Sequence, residues 1–233
     1  MNIKQSARQE RDKLQQGIYT VINPFVRLLI KMHITPNMVT TIGFLGNVAA
    51  AAVLAVAGYA VAGGAATDYT MLVWAGALII GFSLFDMLDG QVARLGGMAS
   101  TFGAMYDSVL DRYCELLTLG SLAYYLICSG EMIGALITFI ALIGSIMVSY
   151  VRARAEGLDI ECKIGFMQRP ERVVVTSVSV LAAGIYGMAT DGGATAAFDP
   201  DLIVIGAMVI IAVFANLTAF ARINHCRKAL SRR

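Results

Sequence analysis

Six long apolar segments divide this chain, and they restrict its possible folds more than any other feature. They cover residues 37–62, 70–88, 104–128, 132–153, 173–190 and 201–222. Each is close to the ~20 residues that a helix needs to cross the hydrocarbon core of a bilayer. Only 15% of the residues are charged, against about 25% in a typical soluble domain. The sequence therefore predicts an all-α integral membrane protein with six transmembrane helices.

Basic residues occur on one side of this layout. The loops at 63–69, 129–131 and 191–200 contain no Lys or Arg, whereas the termini and the other loops are basic. By the positive-inside rule, both termini and the 89–103 region are expected to face the cytoplasm, in the inner cell membrane. The net charge of +2 gives no indication of a nucleic-acid partner, and none is expected.

The segment before the first span is polar at its start and mixed from about residue 18 onward. Apolar residues recur at helical spacing up to Met32, with Pro24 among them. This pattern predicts an amphipathic helix on the cytoplasmic membrane surface, bent at the proline. The expected organisation is a cytoplasmic segment at 1–36, a six-helix transmembrane domain at 37–226 and a basic tail at 227–233.

Four aspartates recur at fixed spacing where the second and third spans meet the cytoplasm. They are Asp86, Asp89, Asp107 and Asp111. Spacings of three and four place each pair on one helix face, and a glycine-bearing turn between the pairs lets the two helices face each other. Each ionised residue at helix depth costs roughly 3 kcal/mol. Four acids gathered there are tolerable only with cations between them.

The residue types around the aspartates indicate the ligand. All-oxygen sites select hard cations such as Mg²⁺ or Mn²⁺, and Mg²⁺ commonly binds carboxylates together with substrate phosphates. Gly90 and Gly103 would admit a phosphate close to the backbone, and Arg94 would supply a positive charge. The residues thus predict a cytoplasm-facing site for metal ions and a phosphorylated substrate.

The complete pattern, D-x2-D-G-x2-A-R-x8-G-x3-D-x3-D, resembles the signature of the CDP-alcohol phosphotransferases. That resemblance implies transfer from a CDP-linked lipid to an acceptor alcohol with release of CMP. It implies that the four aspartates hold two divalent ions, Mg²⁺ or Mn²⁺, and that Asp111 is also the general base. The nucleotide is expected to contact Pro36, Thr40, Asp86, Asp89, Gly90, Ala93, Arg94 and Gly103. A homodimer is expected as well.

Four arginines near the 157–168 loop bear on which alcohol is the acceptor. They are Arg152, Arg154, Arg169 and Arg172. Positive-inside charge would explain one of them, but four beside one loop suit an anionic acceptor, because guanidinium groups bind phosphate. The segments that carry these arginines, 149–158 and 165–172, resemble those of phosphatidylinositol phosphate synthases. This resemblance implies CDP-diacylglycerol as donor and inositol 1-phosphate as acceptor. That group often has Lys where Arg152 stands.

Other activities stay open at this point. Glycerol 3-phosphate also carries a phosphate, so a phosphatidylglycerophosphate synthase is the nearest alternative, and free inositol is another acceptor used in the family. A cation transporter could also gather carboxylates in a helical bundle. It would favour the bilayer midplane between half-helices, whereas these aspartates lie near the cytoplasmic ends of the spans.

Overall fold

The computed structural model describes residues 22–190 and 195–231. The expected amphipathic segment lies partly outside the described residues, which begin at Ile22. Residues 191–194 of the predicted 191–200 loop and the last two arginines of the predicted basic tail also lie outside them.

Helices make up almost all of the described chain. Residues 22–31 are helical and are here named α1. The following helices are α2 (Pro36–Ala62), α3 (Tyr69–Ser83), α4 (Phe85–Leu95), α5 (Thr101–Cys128), α6 (Met132–Glu156), α7 (Arg169–Ala189) and α8 (Asp201–Leu230). The described ranges contain no strand, and the predicted all-α class is confirmed.

Within the described ranges, five stretches are long and apolar enough to cross a membrane, and they make this a multi-pass membrane protein. They are Pro36–Ala62, Tyr69–Leu95, Met132–Glu156, Arg169–Ala189 and Asp201–Leu230. The remaining predicted span is α5, which has 28 residues but carries three acids and an arginine between Asp107 and Glu115. The predicted second span is interrupted at Leu84, so Asp86 lies in the first turn of α4. The predicted boundary at residue 227 falls inside α8.

Local sequence explains where the helices around the aspartates begin and end. Thr35 precedes Pro36, and its hydroxyl accepts a bond from the Met38 N–H at 3.3 Å, as an N-cap does. Ser100 similarly caps α5 through the Gly103 N–H at 3.0 Å. After α4, Gly97 has φ +63°, a left-handed conformation that favours glycine and reverses the chain toward α5.

Packing divides the chain into two compact units. Of the described residues, the first unit contains 22–43 together with Leu84–Leu110, and the second contains Phe44–Ser83 with 111–190 and 195–231. In the first unit, an apolar core joins α1, the start of α2 and α4. It is formed by Val26, Val39, Leu88 and Val92, with Ile22, Leu29, Ile30, Ile34 and Phe85 against them.

The second unit is a bundle in which α3 packs on α7, α6 on α8, and α7 on α8. Close helix approach depends on small residues, as is common in membrane bundles. A Cβ at Gly76 would lie 2.8 Å from the Leu181 Cα, so α3 and α7 could not approach this closely with a larger residue there. Large apolar side chains such as Ile133, Val178 and Leu217 point outward and are more than half exposed, as lipid-facing positions require.

Hydrogen bonds hold the loop between α6 and α7 against one face of α8. Arg222 is 2% exposed and donates to the carbonyls of Ile164 at 2.8 Å and Val148 at 2.7 Å. One turn earlier, the Thr218 hydroxyl accepts the Met167 N–H at 3.4 Å. The bonds to Ile164 and Met167 satisfy loop backbone groups that would otherwise be buried without partners, and they fix the chain that leads into Arg169. The bond to Val148 joins α8 to α6.

Candidate active site

The first unit contains a cavity lined by most of the predicted nucleotide-binding residues. Its volume is ≈ 240 Å³, and it opens between α2, α4 and α5. Predicted residues in its wall are Pro36, Thr40, Asp89, Gly90, Ala93, Arg94, Gly103 and Asp107. Asn37 and Ser100 also line the cavity, and these two were not identified from the sequence.

Gly103 faces the polar wall of this cavity. A Cβ at this position would lie 3.0 Å from the Ser100 Oγ and 3.2 Å from the Asn37 Oδ1. Glycine therefore keeps open the space between two hydrogen-bonding side chains. This geometry supports the prediction that a phosphate or nucleotide approaches the backbone closely here.

Thr40 and Asp89 form a buried hydrogen bond across the same cavity. The Thr40 hydroxyl donates to Asp89 Oδ2 at 2.6 Å, and Asp89 is only 6% exposed. A short bond to an ionised acceptor is stronger than a neutral one. It therefore fixes the orientation of the Asp89 carboxylate, which the spacing of the aspartates predicts to be a metal ligand.

Two further aspartates of the first unit, Asp86 and Asp107, converge as ligands for a hard cation would. Each offers a carboxylate oxygen, and these oxygens lie within 4.8 Å of each other. Oxygen ligands lie about 2.0–2.6 Å from Mg²⁺ or Ca²⁺, so a shared ion can bridge oxygens at this separation. The donor set fits a divalent cation.

In the second unit, Asp111 forms an ion pair with one of the predicted acceptor-binding arginines. The Arg169 Nη2 lies 2.7 Å from Asp111 Oδ1, with the side chains 23% and 17% exposed. Both groups therefore remain reachable from outside the bundle. The pair places a guanidinium group, suited to binding phosphate, directly beside the carboxylate predicted to be the base.

A second and deeper ion pair lies one turn further along both helices. Arg172 donates through Nε to Glu115 Oε1 at 2.6 Å and through Nη2 to Oε2 at 3.0 Å. The two side chains are 2% and 6% exposed. Glu115 was not identified from the sequence, although its position four residues after Asp111 on an apolar helix is a signal that could have found it.

The other two predicted arginines lie on α6. Arg152 pairs with Glu156 on its own helix at 2.9 Å, and both side chains are largely exposed. Arg154 is exposed, and a separation of two residues directs it to a different helix face from Arg152. A role for these two in binding the acceptor stays a prediction.

The fold and the site residues together define a class: a multi-pass helical membrane protein with carboxylates that fit a divalent cation and a cavity large enough for a phosphorylated ligand. The chain belongs to the CDP-alcohol phosphatidyltransferase family, whose family model matches residues 33–218. Its match covers the cavity, all four aspartates and the arginine-bearing loop.

Individual relatives carry the more specific name phosphatidylinositol phosphate synthase. The chain is 32% identical, over 170 residues, to a phosphatidylinositol phosphate synthase from Corynebacterium glutamicum, covering 72% of this chain and 71% of the relative. It resembles the crystal structure of Mycobacterium tuberculosis phosphatidylinositol phosphate synthase with CDP-DAG bound, with a TM-score of 0.70 and 26% identity, covering 89% of this chain and 94% of that one. A second structure of that enzyme, with manganese and citrate, gives a TM-score of 0.66 at 27% identity and covers 87% of each chain.

Proposed function

We propose that this protein transfers the phosphatidyl group of CDP-diacylglycerol to a hydroxyl of inositol 1-phosphate and releases CMP. The observation that carries the proposal is the ion pair between Arg169 and Asp111 at 2.7 Å. A phosphate bound by that guanidinium would bring the rest of a small acceptor close to the carboxylate that must take its proton. Neutral inositol could accept hydrogen bonds from the arginine but would lack the attraction between opposite charges.

The donor is proposed to bind through the first unit. Its CMP portion would occupy the ≈ 240 Å³ cavity, with Arg94 near its phosphates and Gly103 allowing close approach. Pro36 and Ala93 would form its less polar wall. The relative crystallised with CDP-DAG supports this choice of donor, since the structural match covers 89% of this chain and 94% of that one.

Two divalent ions, Mg²⁺ or Mn²⁺, are proposed to be held by Asp86, Asp89, Asp107 and Asp111. When bound, they would neutralise the phosphate oxygens and the charge that develops on the departing CMP. The converging carboxylates of Asp86 and Asp107 fit such an ion, and the manganese complex of a structural neighbour supports the same type of metal.

The chain's own residues would carry out the remaining chemistry. Asp111 accepts the proton of the acceptor hydroxyl, whose oxygen forms a bond to the lipid-linked phosphorus of the donor. The bond from that phosphorus to the CMP phosphate oxygen breaks, and CMP leaves with the electron pair. Thr40 holds Asp89 in position, and Arg169 holds the acceptor. Helix α5 contributes Asp107 and Asp111 from consecutive turns.

We also propose α5 as a sixth span, with α1 on the membrane surface and both termini in the cytoplasm. At 1.5 Å per residue, 28 residues reach about 42 Å, which is more than the ~30 Å hydrocarbon core requires. Its charged residues lie within its first 15 residues, toward the end proposed to meet the cytoplasm. A homodimer is proposed as the assembly in the bilayer.

The direct test is CMP release by purified protein supplied with CDP-diacylglycerol, Mg²⁺ or Mn²⁺ and one acceptor at a time. We expect release with inositol 1-phosphate and little with free inositol or glycerol 3-phosphate. Release with glycerol 3-phosphate alone would replace the proposed acceptor, leaving the reaction class intact. The absence of CMP with every acceptor would contradict the enzymatic proposal and return attention to a transport role.

A further inference from the structure

Two ion pairs connect α5 to α7 as consecutive rungs. The outer rung joins Asp111 to Arg169, and the inner rung joins Glu115 to Arg172. The acids are four residues apart on α5, and the arginines are three apart on α7. Both spacings keep the side chains on one helix face, so the geometry of one rung constrains the other.

In the inner rung, all three guanidinium nitrogens of Arg172 donate to protein groups. Besides its two bonds to Glu115, Arg172 donates through Nη1 to the Met167 carbonyl at 3.2 Å. Met167 and Arg172 are both buried and stand on either side of Arg169 in the sequence. A single guanidinium group therefore fixes the backbone before and after the arginine of the outer rung.

The space near the inner rung also argues against a bound phosphate there. A cavity of ≈ 30 Å³ borders Asp111, Glu115, Arg169 and Arg172. This volume holds about two water molecules, which is less than a phosphate group with its substituent needs. Arg169 is the more exposed of the two arginines, at 23% against 2%, and it is the one that an acceptor can reach.

We infer that Glu115 and Arg172 are a positioning pair for the acceptor, which set the place of Arg169 beside Asp111 without touching substrate themselves. The inference rests on the proposed function, and it assigns Arg172 a role different from the direct phosphate contact predicted from the sequence. A long arginine side chain has many rotamers, so its phosphate-binding geometry depends on a fixed backbone and a fixed neighbour.

The test compares Glu115→Gln, Arg172→Lys and the double variant in the CMP-release assay, titrating inositol 1-phosphate and CDP-diacylglycerol separately. Each single variant is expected to lower kcat/KM for the acceptor about tenfold, and the double variant should be no worse, because residues of one ion pair are not additive. The KM for CDP-diacylglycerol should stay within about twofold of wild type, because the donor is proposed to bind the other unit. The exposed pair Glu161–Lys163 provides matched controls, Glu161→Gln and Lys163→Met.

Three results would overturn the inference. A much larger loss for Arg172→Lys than for Glu115→Gln, additive in the double variant, would indicate direct phosphate contact by Arg172. Lower thermal stability with unchanged acceptor kcat/KM per donor-binding molecule would leave the pair a purely structural role. An equal rise in the KM values for inositol 1-phosphate and CDP-diacylglycerol would show that the pair does not act on acceptor binding specifically. If Glu115→Gln gives no folded protein, Glu115→Asp keeps the charge and replaces it. Wild-type protein that releases no CMP would contradict the proposed function itself.

Discussion

The Thr40 hydroxyl donates a 2.6 Å hydrogen bond to Asp89, linking the first helix of the transmembrane domain to the aspartate motif 49 residues away. Thr40 is 5% exposed and Asp89 6%, so water cannot replace this donor easily. The bond gives a buried carboxylate one fixed orientation. It also explains why a threonine near the start of α2 belongs to the same site as the motif.

Removing that hydroxyl should weaken the site. For Thr40→Val we expect the KM for CDP-diacylglycerol or the Mn²⁺ requirement to rise about tenfold, because a hydrogen bond to a charged group contributes about 1.5–3 kcal/mol. Steady-state CMP release at varied donor and metal concentrations measures both. Thr40→Ser retains the hydroxyl and should stay near wild type; an equal defect in both variants would show that the methyl group, not the hydrogen bond, matters.

Gly103 should tolerate no side chain. Gly103→Val places carbon atoms against Ser100 and Asn37 and should raise the KM for the donor at least about tenfold, since overpacking costs roughly 1–3 kcal/mol. Gly120 lies on the same helix, and a Cβ there would meet nothing within 4 Å. Gly120→Val is therefore the matched control. Similar donor KM values for the two variants would mean that the cavity does not hold the nucleotide.

Asp111→Asn removes the proposed base while keeping an amide oxygen that can still ligate a divalent ion. It should lower kcat by about 10²–10⁴-fold, the usual contribution of a general base, while CDP-diacylglycerol still binds. Rapid-quench measurement of the first turnover isolates the chemical step from product release. A first-turnover rate near that of wild type would rule out Asp111 as the base.

Asp107→Asn should act mainly on the metal. We expect affinity for Mn²⁺, measured by electron paramagnetic resonance of the free ion, to fall at least about 100-fold, because even second-shell partners of a metal commonly contribute 10–100-fold. Asp68→Asn, in the loop before α3, is the carboxylate control. Chelation with EDTA should stop CMP release, and added Mg²⁺ or Mn²⁺ should restore it. Unaltered Mn²⁺ binding by Asp107→Asn would remove this residue from the ligand set.

Arg222 should matter for stability rather than for chemistry. Arg222→Met keeps the volume but leaves the carbonyls of Val148 and Ile164 without their donor, so the free energy of unfolding should fall by about 3 kcal/mol. Thermal unfolding in detergent measures the change. Arg227→Met, at an exposed position of the same helix, should leave the transition temperature unchanged.

The sequence located most helices well because long apolar runs are read directly from composition. The starts of α2 and α6 and the ends of α2 and α5 fall within one residue of prediction. The break at Leu84 was missed because the apolar run of the predicted span 70–88 continues through residue 85, without proline or paired glycine at that point. Helix α7 starts four residues before its predicted span because its first turn is charged, and hydropathy detects only the apolar part.

The candidate site, like the fold, was predicted from the sequence in some of its parts and not in others. Regular spacing revealed the aspartates, since positions three or four apart share a helix face. The partnership of Glu115 with Arg172 joins residues 57 apart and depends on how two helices pack, which no local pattern records. For the same reason, Arg172 looked like one more basic residue near a loop, although it is among the most buried side chains in the described chain.

Helix α5 carries Asp107, Asp111 and Glu115 at intervals of four residues, on one continuous rod from Thr101 to Cys128. Deleting one residue between Asp107 and Asp111 would turn everything beyond it by about 100°. The later acids would then leave the face they share with Asp107, although every side chain would still be present. Length variation among natural homologues should therefore be confined to the loops on either side of α5, while its lipid-facing positions remain free to change in identity.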